Sequence, residues 1–331
     1  MDHPSPRDGA DSRYTMRVFR ALRPGKTVLW AVKACLLTAV LAFVVQYVTA
    51  NWQQARDVPA PRIGPLVWAT FWGVVSSVAM AWLLALVLAA HGSRVSLGKS
   101  IGLRFLPALG KYLPGKFWSL IASLWLFTRV GVPKHVAVTS IGLNMIIGLL
   151  SQCLVILALQ AKSAENSAIT GTLLAVSAAM VLGLHPRVFY PCVNWLFRRT
   201  GQPPLETKLS FTALVALVVA ASITWVFYGL AMYYVLLSVT PLSLEAAPRC
   251  IAAFLFAQTV GFIALFAPAG IGVREGVLLV ALRPLVGEGP AIVVAGLTRL
   301  WQTALELALA GVGWWLLRPP VSSESSELES L

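Results

Sequence analysis

Long stretches without charge are the strongest constraint on this chain. Of the 291 residues from 27 to 317 only 26 are charged. Six segments, 28–49, 65–90, 135–160, 168–185, 209–238 and 290–317, reach the roughly 20 apolar residues needed to cross a hydrocarbon core of about 30 Å. Hydrophobic residues make up 58% of the sequence and charged ones 12%, about half the charged share of an ordinary soluble domain. Burying such runs in water would take a core larger than one domain closes. The composition excludes a soluble protein and predicts an all-α polytopic membrane protein.

Two further apolar stretches do not read as simple spans. Residues 100–128 are interrupted at Lys111-Tyr-Leu-Pro-Gly-Lys116, and residues 248–285 at Ala267-Pro-Ala-Gly-Ile-Gly272. Proline removes a backbone donor and glycine permits unusual dihedrals, so each break frees polar groups that lipid cannot satisfy. Breaks at membrane depth persist only inside protein or beside a wet cavity. Two re-entrant helical hairpins are expected, with a kinked continuous span as the alternative for each.

Lysine and arginine placement orients the chain. With the N-terminus inside, cytoplasmic segments carry 15 Lys and Arg and the outer segments 4, so the positive-inside rule puts both termini in the cytoplasm. The first three spans then run opposite to the last three, and the hairpins enter from opposite sides. This predicts a 3+3 inverted repeat, halves 28–160 and 168–317 of a membrane domain 28–317, in which a binding site lies where the broken helices meet. Residues 1–27 form a basic cytoplasmic lead, and the acidic Ser/Glu-rich tail 318–331 reads as disordered. The run Pro186–Arg199 mixes aromatics with arginine, which suits a helix lying in the membrane interface.

The net charge of +13 belongs beside lipid head groups rather than nucleic acid, because the basic residues flank hydrophobic spans. Four cysteines lie far apart, with no C-x-x-C pair, so neither a disulfide framework nor a zinc site is indicated. His91, His135 and His185 fall at span ends, and no cofactor or metal is expected.

The informative residues are charges inside the apolar segments, where each costs at least about 2.5–3.5 kcal/mol and calls for a partner or a function. Glu275 and Glu306 are the acids there. Arg299 and Glu306 stand seven residues apart and share a helix face, and Arg274 and Glu275 open the second half of the second hairpin. These four can form a self-neutralising cluster, read either as a structural ion-pair lock or as a head-group site. Arg104, Lys111 and Lys116 have no acid in their own segment or on the helix that follows. They read either as snorkelling cations or, with the free amides of a half-helix starting near Gly115, as an anion site.

The runs Gly110-Lys-Tyr-Leu-Pro-Gly-Lys-Phe-Trp-Ser-Leu120, Arg129-Val-Gly-Val-Pro133 and Ala267-Pro-Ala-Gly-Ile-Gly-Val-Arg-Glu-Gly-Val-Leu-Leu279, with Arg299 and Glu306, resemble the lysylphosphatidylglycerol synthase transmembrane-region family. These are flippase-like bacterial proteins related to the membrane half of the multiple peptide resistance factor. The resemblance covers about residues 28–317 and implies a unit that moves a lipid, or a lipid-linked head group, between leaflets of the inner membrane. The full-length factors carry a soluble aminoacyl-transferase domain after the membrane part. Only 14 residues follow the last span here, so no aminoacylation is expected.

The substrate-binding candidates are Lys111, Tyr112, Pro114, Gly115, Lys116, Pro268, Gly270, Gly272, Arg274, Glu275, Arg299 and Glu306. Anionic lipids are the expected ligands, and lipid- or glycan-biosynthesis enzymes or a second copy of the chain are possible partners. The alternative function is a non-transporting accessory protein of such a pathway. An integral membrane enzyme is disfavoured, because Asp2, Asp8, Asp11 and Asp57 all lie outside the spans and no metal-binding acid cluster is available.

Overall fold

The computed structural model describes residues 52–112, 117–160, 167–264 and 267–317, with isolated positions between Thr38 and Ala50. Contacts divide the chain into Met1–Gln46 and Tyr47–Leu331. All that follows concerns the second unit. The predicted span 28–49, the lead 1–27 and the tail 318–331 lie outside the described residues, apart from those isolated positions.

The described residues form helices and no strand. After a four-residue helix at Trp52–Ala55, they are in chain order α1 (Ile63–Ala90), α2 (Leu97–Ala108), α3 (Phe117–Arg129), α4 (Lys134–Gln160), α5 (Ser167–Leu184), α6 (Pro186–Arg199), α7 (Phe211–Val239), α8 (Ala247–Ile263), α9 (Val273–Val286) and α10 (Glu288–Leu316). Single helical turns at Leu109–Tyr112 and Pro268–Gly270 sit at the two predicted breaks.

Among the described residues five helical segments are long and apolar enough to cross a membrane: α1, α4, α7, α10, and α8 with the turn before it (Leu244–Ile263). A sixth results if α5 and α6, bent by 67°, count as one. The protein is therefore multi-pass. Segments 65–90, 135–160, 209–238 and 290–317 emerge as single helices. The predicted span 168–185 is the 18-residue α5, and the aromatic-arginine run is a separate helix, α6. The stretch 248–285 divides unequally, since its first half is by itself long enough to span.

Serine caps start two of these helices: Ser96 accepts from the Lys99 amide at α2, and Ser210 from the Ala213 amide at α7. Such caps satisfy donors that a helix start leaves free. At α6 the His185 side chain takes that role for the Arg187 amide at 3.2 Å.

α1 and α7 run antiparallel. Arg62 donates its amide to the Ser238 carbonyl at 2.8 Å, and the Ser76 hydroxyl donates to the Thr224 carbonyl at 2.9 Å. α4 joins them through Trp225, whose indole N–H donates to the Gly148 carbonyl at 2.9 Å. One apolar core lies among α1, α3, α4, α6 and α7, and a second among α4, α7, α8, α9 and α10. Outer faces stay apolar, with Trp68, Trp82, Leu182 and Val280 more than half exposed, as acyl-chain contact requires.

α10 positions the site. Its 29 residues span about 43 Å at 1.5 Å per residue. α2 packs antiparallel along its C-terminal half, backbone to backbone, where a Cβ on Gly313 would stand 2.6 Å from the Gly102 Cα. α9 packs antiparallel along its N-terminal half, from the Arg283–Glu288 ion pair at 3.1 Å to Arg274 at Gln302. Two shorter helices thus run along α10 from its opposite ends and stop near its middle. There the turns Leu109–Tyr112 and Pro268–Gly270 come into contact.

Candidate functional site

The second break has the more unusual backbone. Ala269 has φ +52°, the sole non-glycine with positive φ among the described residues, and Gly270 and Gly272 have φ +69° and +83°. Side-chain-free residues are required at Gly270, because a Cβ there would lie 2.8 Å from the Gly261 carbonyl oxygen of α8. Gly261 in turn lets the Arg274 stem approach α8. The Gly272 amide, freed at the start of α9, donates to Glu275 Oε2 at 2.7 Å, so the acid caps its own helix.

Arg299 answers the other exposed groups of this break. Its Nη1 donates to the Ala269 carbonyl at 3.2 Å, and its Nε faces Glu275 Oε1 at 3.9 Å. That pair is almost dry, with Arg299 4% and Glu275 2% exposed. It is also incomplete. Arg299 Nε and Nη2 and Glu275 Oε1 are buried and make no hydrogen bond among the described residues. Arg274 donates to the Gln302 side-chain oxygen, and the Tyr228 phenol of α7 lies buried beside its guanidinium.

The first break supplies a second pair. Lys111 Nζ donates to Glu306 Oε1 at 2.6 Å, and the Tyr112 hydroxyl donates to Glu306 Oε2 at 3.0 Å. Gln302 Nε2 also donates to Glu306 Oε1 at 3.1 Å. The Tyr112 hydroxyl lies 3.2 Å from Thr303 Oγ1, and the Arg299 guanidinium stands over the Tyr112 ring at 5.6 Å, within cation–π range. One polar network therefore runs from Lys111 through Glu306 and Gln302 to Arg274, with Tyr112 reaching Arg299.

Among the described residues this network holds three cations, Lys111, Arg274 and Arg299, and two acids, Glu275 and Glu306. It carries a surplus positive charge beside unfilled guanidinium donors, and a phosphate or carboxylate oxygen would satisfy both. No group of three or more His, Cys, Asp or Glu side chains that could hold a metal occurs among the described residues.

The structure brings together Lys111, Tyr112, Gly270, Gly272, Arg274, Glu275, Arg299 and Glu306. Pro268 lies in the second turn, and Pro114, Gly115 and Lys116 lie outside the described residues. Two expectations need correction. Lys111 is not unmatched, because α10 brings Glu306 to it from 195 positions away. Nor does Arg104 read as a cation at a lipid surface: from α2 it lines a small cavity of about 30 Å³ with Asn144 and Trp225, between α1, α4 and α7. The sequence reading missed Gln302, Thr303 and Tyr228. Gln302 and Thr303 had a usable signal, since Arg299, Gln302, Thr303 and Glu306 follow i, i+3, i+4, i+7 spacing on an otherwise apolar helix. Tyr228 had none.

The family described as the lysylphosphatidylglycerol synthase TM region matches residues 30–310. The chain belongs to this family. That places it among membrane proteins of lipid biosynthesis or translocation, and the match spans both breaks and the α10 network. Comparison with curated proteins gives no match.

Proposed function

We propose that this member of the lysylphosphatidylglycerol synthase TM region family is a bacterial inner-membrane translocase for an anionic lipid or a lipid-linked head group. The observation that carries the reading is the buried network at the middle of α10, where a surplus cation and unfilled Arg299 donors meet two backbone breaks. Burying charge so deeply is costly unless a bound anion completes the arrangement in part of the working cycle. Lys111, Arg274 and Arg299 would hold the head group, Lys116 from the first break would add to them, and Glu275 and Glu306 would hold the cations when the site is empty.

Re-entrant hairpins in a 3+3 inverted repeat belong to this proposal. The antiparallel approach of α2 and α9 from opposite ends of α10 supports it, as do the short lengths of α2 and α3, 12 and 13 residues, or about 18–20 Å. Rocking of the halves would expose the site alternately. The count of 15 against 4 Lys and Arg supports cytoplasmic termini. The chain acts in this reading as a transporter rather than an enzyme, alone or as a homo-oligomer, beside enzymes that make the lipid.

Reconstitution into proteoliposomes with labelled anionic lipid tests this. Arg274→Glu should abolish transbilayer movement while Arg274→Lys retains part of it, both compared at equal incorporation. Undiminished movement with Arg274→Glu would refute the site assignment, and no protein-dependent movement by the unaltered chain would refute the translocase. Mass spectrometry of lipid co-purified in mild detergent would identify the cargo.

A further inference from the structure

A second basic site lies away from α10. α6 and the loop after it enclose an open cleft of about 270 Å³ lined by Pro191, Asn194, Trp195, Arg198 and Lys208. The spacing explains it. Pro191, Asn194, Trp195 and Arg198 follow i, i+3, i+4, i+7 and share a face, beside the buried stripe of Tyr190 and Phe197.

The loop that supplies Lys208 is fastened rather than draped. After α6, Gly201 turns the chain at φ +68°. The Leu205 amide then donates to Asn194 Oδ1 at 2.9 Å, and the Leu209 amide to the Tyr190 hydroxyl at 2.7 Å. Leu205 is buried at 4% exposure. These anchors hold the backbone on either side of Lys208, whose side chain lines the cleft with that of Arg198, and they use the Asn194 oxygen while leaving its amide N–H groups to donate. Neither Arg198 nor Lys208 is ion-paired among the described residues, although Glu206 stands two positions from Lys208. Two uncompensated cations lining one cleft with an amide donor recognise a phosphate.

The surroundings select where that phosphate comes from. The same helix exposes Val188, Trp195 and Leu196 by 47–60%, and Arg199 lies over the Trp195 ring at 5.2 Å. An aromatic and apolar rim beside arginine is the chemistry of the membrane–water interface. We propose that this cleft binds the phosphate of an anionic membrane lipid, held at the surface and separate from the α10 network.

Titration of the full-length protein in mild detergent with phosphatidylglycerol, read by native mass spectrometry, tests it. The double variant Arg198→Gln with Lys208→Gln should lose one tightly held phosphatidylglycerol, with affinity at that site falling about thirtyfold, from roughly fivefold per surface cation. Exchanging the cations, Arg198→Lys with Lys208→Arg, should restore it. Phosphatidylcholine should not occupy the site, and 1 mM inorganic phosphate should not displace the lipid. Unchanged retention in the double variant would overturn the proposal, as would displacement by inorganic phosphate, which would mark a soluble-anion site. Retention is read here and movement in the proteoliposome test, so either can fail alone.

Discussion

The two breaks solve the same problem in different ways. At the first, Lys111 and Glu306 make a short, direct pair at 2.6 Å whose side chains are 30% and 13% exposed. At the second, Arg299 and Glu275 face each other at 3.9 Å with 4% and 2% exposure, and three of their polar atoms are left without hydrogen bonds. A buried pair gains from mutual attraction only when its geometry is good and its remaining groups are satisfied. The first pair meets that condition and the second does not. A closed pair holds structure, whereas an open, dry one has capacity for a further ligand. On the proposed function, this difference would give Lys111–Glu306 the larger part of the locking and Arg299 with Arg274 the larger part of the anion capture, with Lys111 contributing to both.

Removing each acid's charge gives the largest expected difference. Glu275→Gln keeps an oxygen for the Gly272 amide but strands a guanidinium that is nearly without solvent, at a cost of about 3–5 kcal/mol. Glu306→Gln strands an ammonium that water partly reaches, for which about 1–2 kcal/mol is expected. Thermal unfolding midpoints in detergent should therefore fall further for Glu275→Gln. Equal losses, or the reverse order, would mean that the Arg299 charge is not stranded without solvent, and would remove the ground for reading the second break as the open, dry one.

Glycine substitutions sharpen the same contrast at the backbone. A Cβ at Gly270 would meet the Gly261 oxygen at 2.8 Å, and one at Gly110 would meet the Ser119 nitrogen at 2.7 Å. Both turns are closed by backbone contact, but Gly270 alone of the two has positive φ, at +69°. Alanine adds about 1–2 kcal/mol of conformational cost there, on top of overpacking of about 1–3 kcal/mol. Gly270→Ala should thus lose more stability than Gly110→Ala, roughly 2 kcal/mol or more in total. Gly276, one turn into α9 with nothing within 4 Å of its would-be Cβ, is the control. Gly276→Ala should be neutral or stabilising by up to about 1 kcal/mol, and a loss there would mean that α9 tolerates no substitution, voiding the comparison.

Sequence patterning revealed much of this arrangement and missed its pairing. Runs of apolar residues located α1, α4, α7 and α10, and proline with glycine marked both breaks, because these signals act within one segment. Arg299 and Glu306 looked like partners by helical spacing, yet each is matched from another element: Arg299 by Glu275 and Glu306 by Lys111. Ion pairs between helices depend on which ends of α2 and α9 reach the middle of α10, and close packing at Gly102 and Gly313 sets that register for α2. No periodicity within one helix encodes it. The turn to α6 was legible as a change from apolar to aromatic-basic composition, while the cleft opposite Lys208 depends on two side-chain-to-amide bonds across 11 and 19 residues.

Tyr112 offers the finest test, because it belongs to the first break and touches both pairs. Its hydroxyl donates to Glu306 and lies against Thr303, while its ring carries the Arg299 guanidinium at 5.6 Å. Tyr112→Phe removes the hydroxyl contacts and keeps the ring, so it should cost about 1 kcal/mol and leave Arg299 supported. Tyr112→Leu removes both and should cost about a further 0.5–2 kcal/mol through the lost cation–π contact. If the two breaks act as one site, both variants should also slow lipid movement, and Leu more than Phe, since only Leu alters the side that holds Arg299. Lipid movement that is equally slow in the two variants would make the hydroxyl, and with it the Glu306 lock, the part that matters, and would reverse the roles assigned to the two breaks.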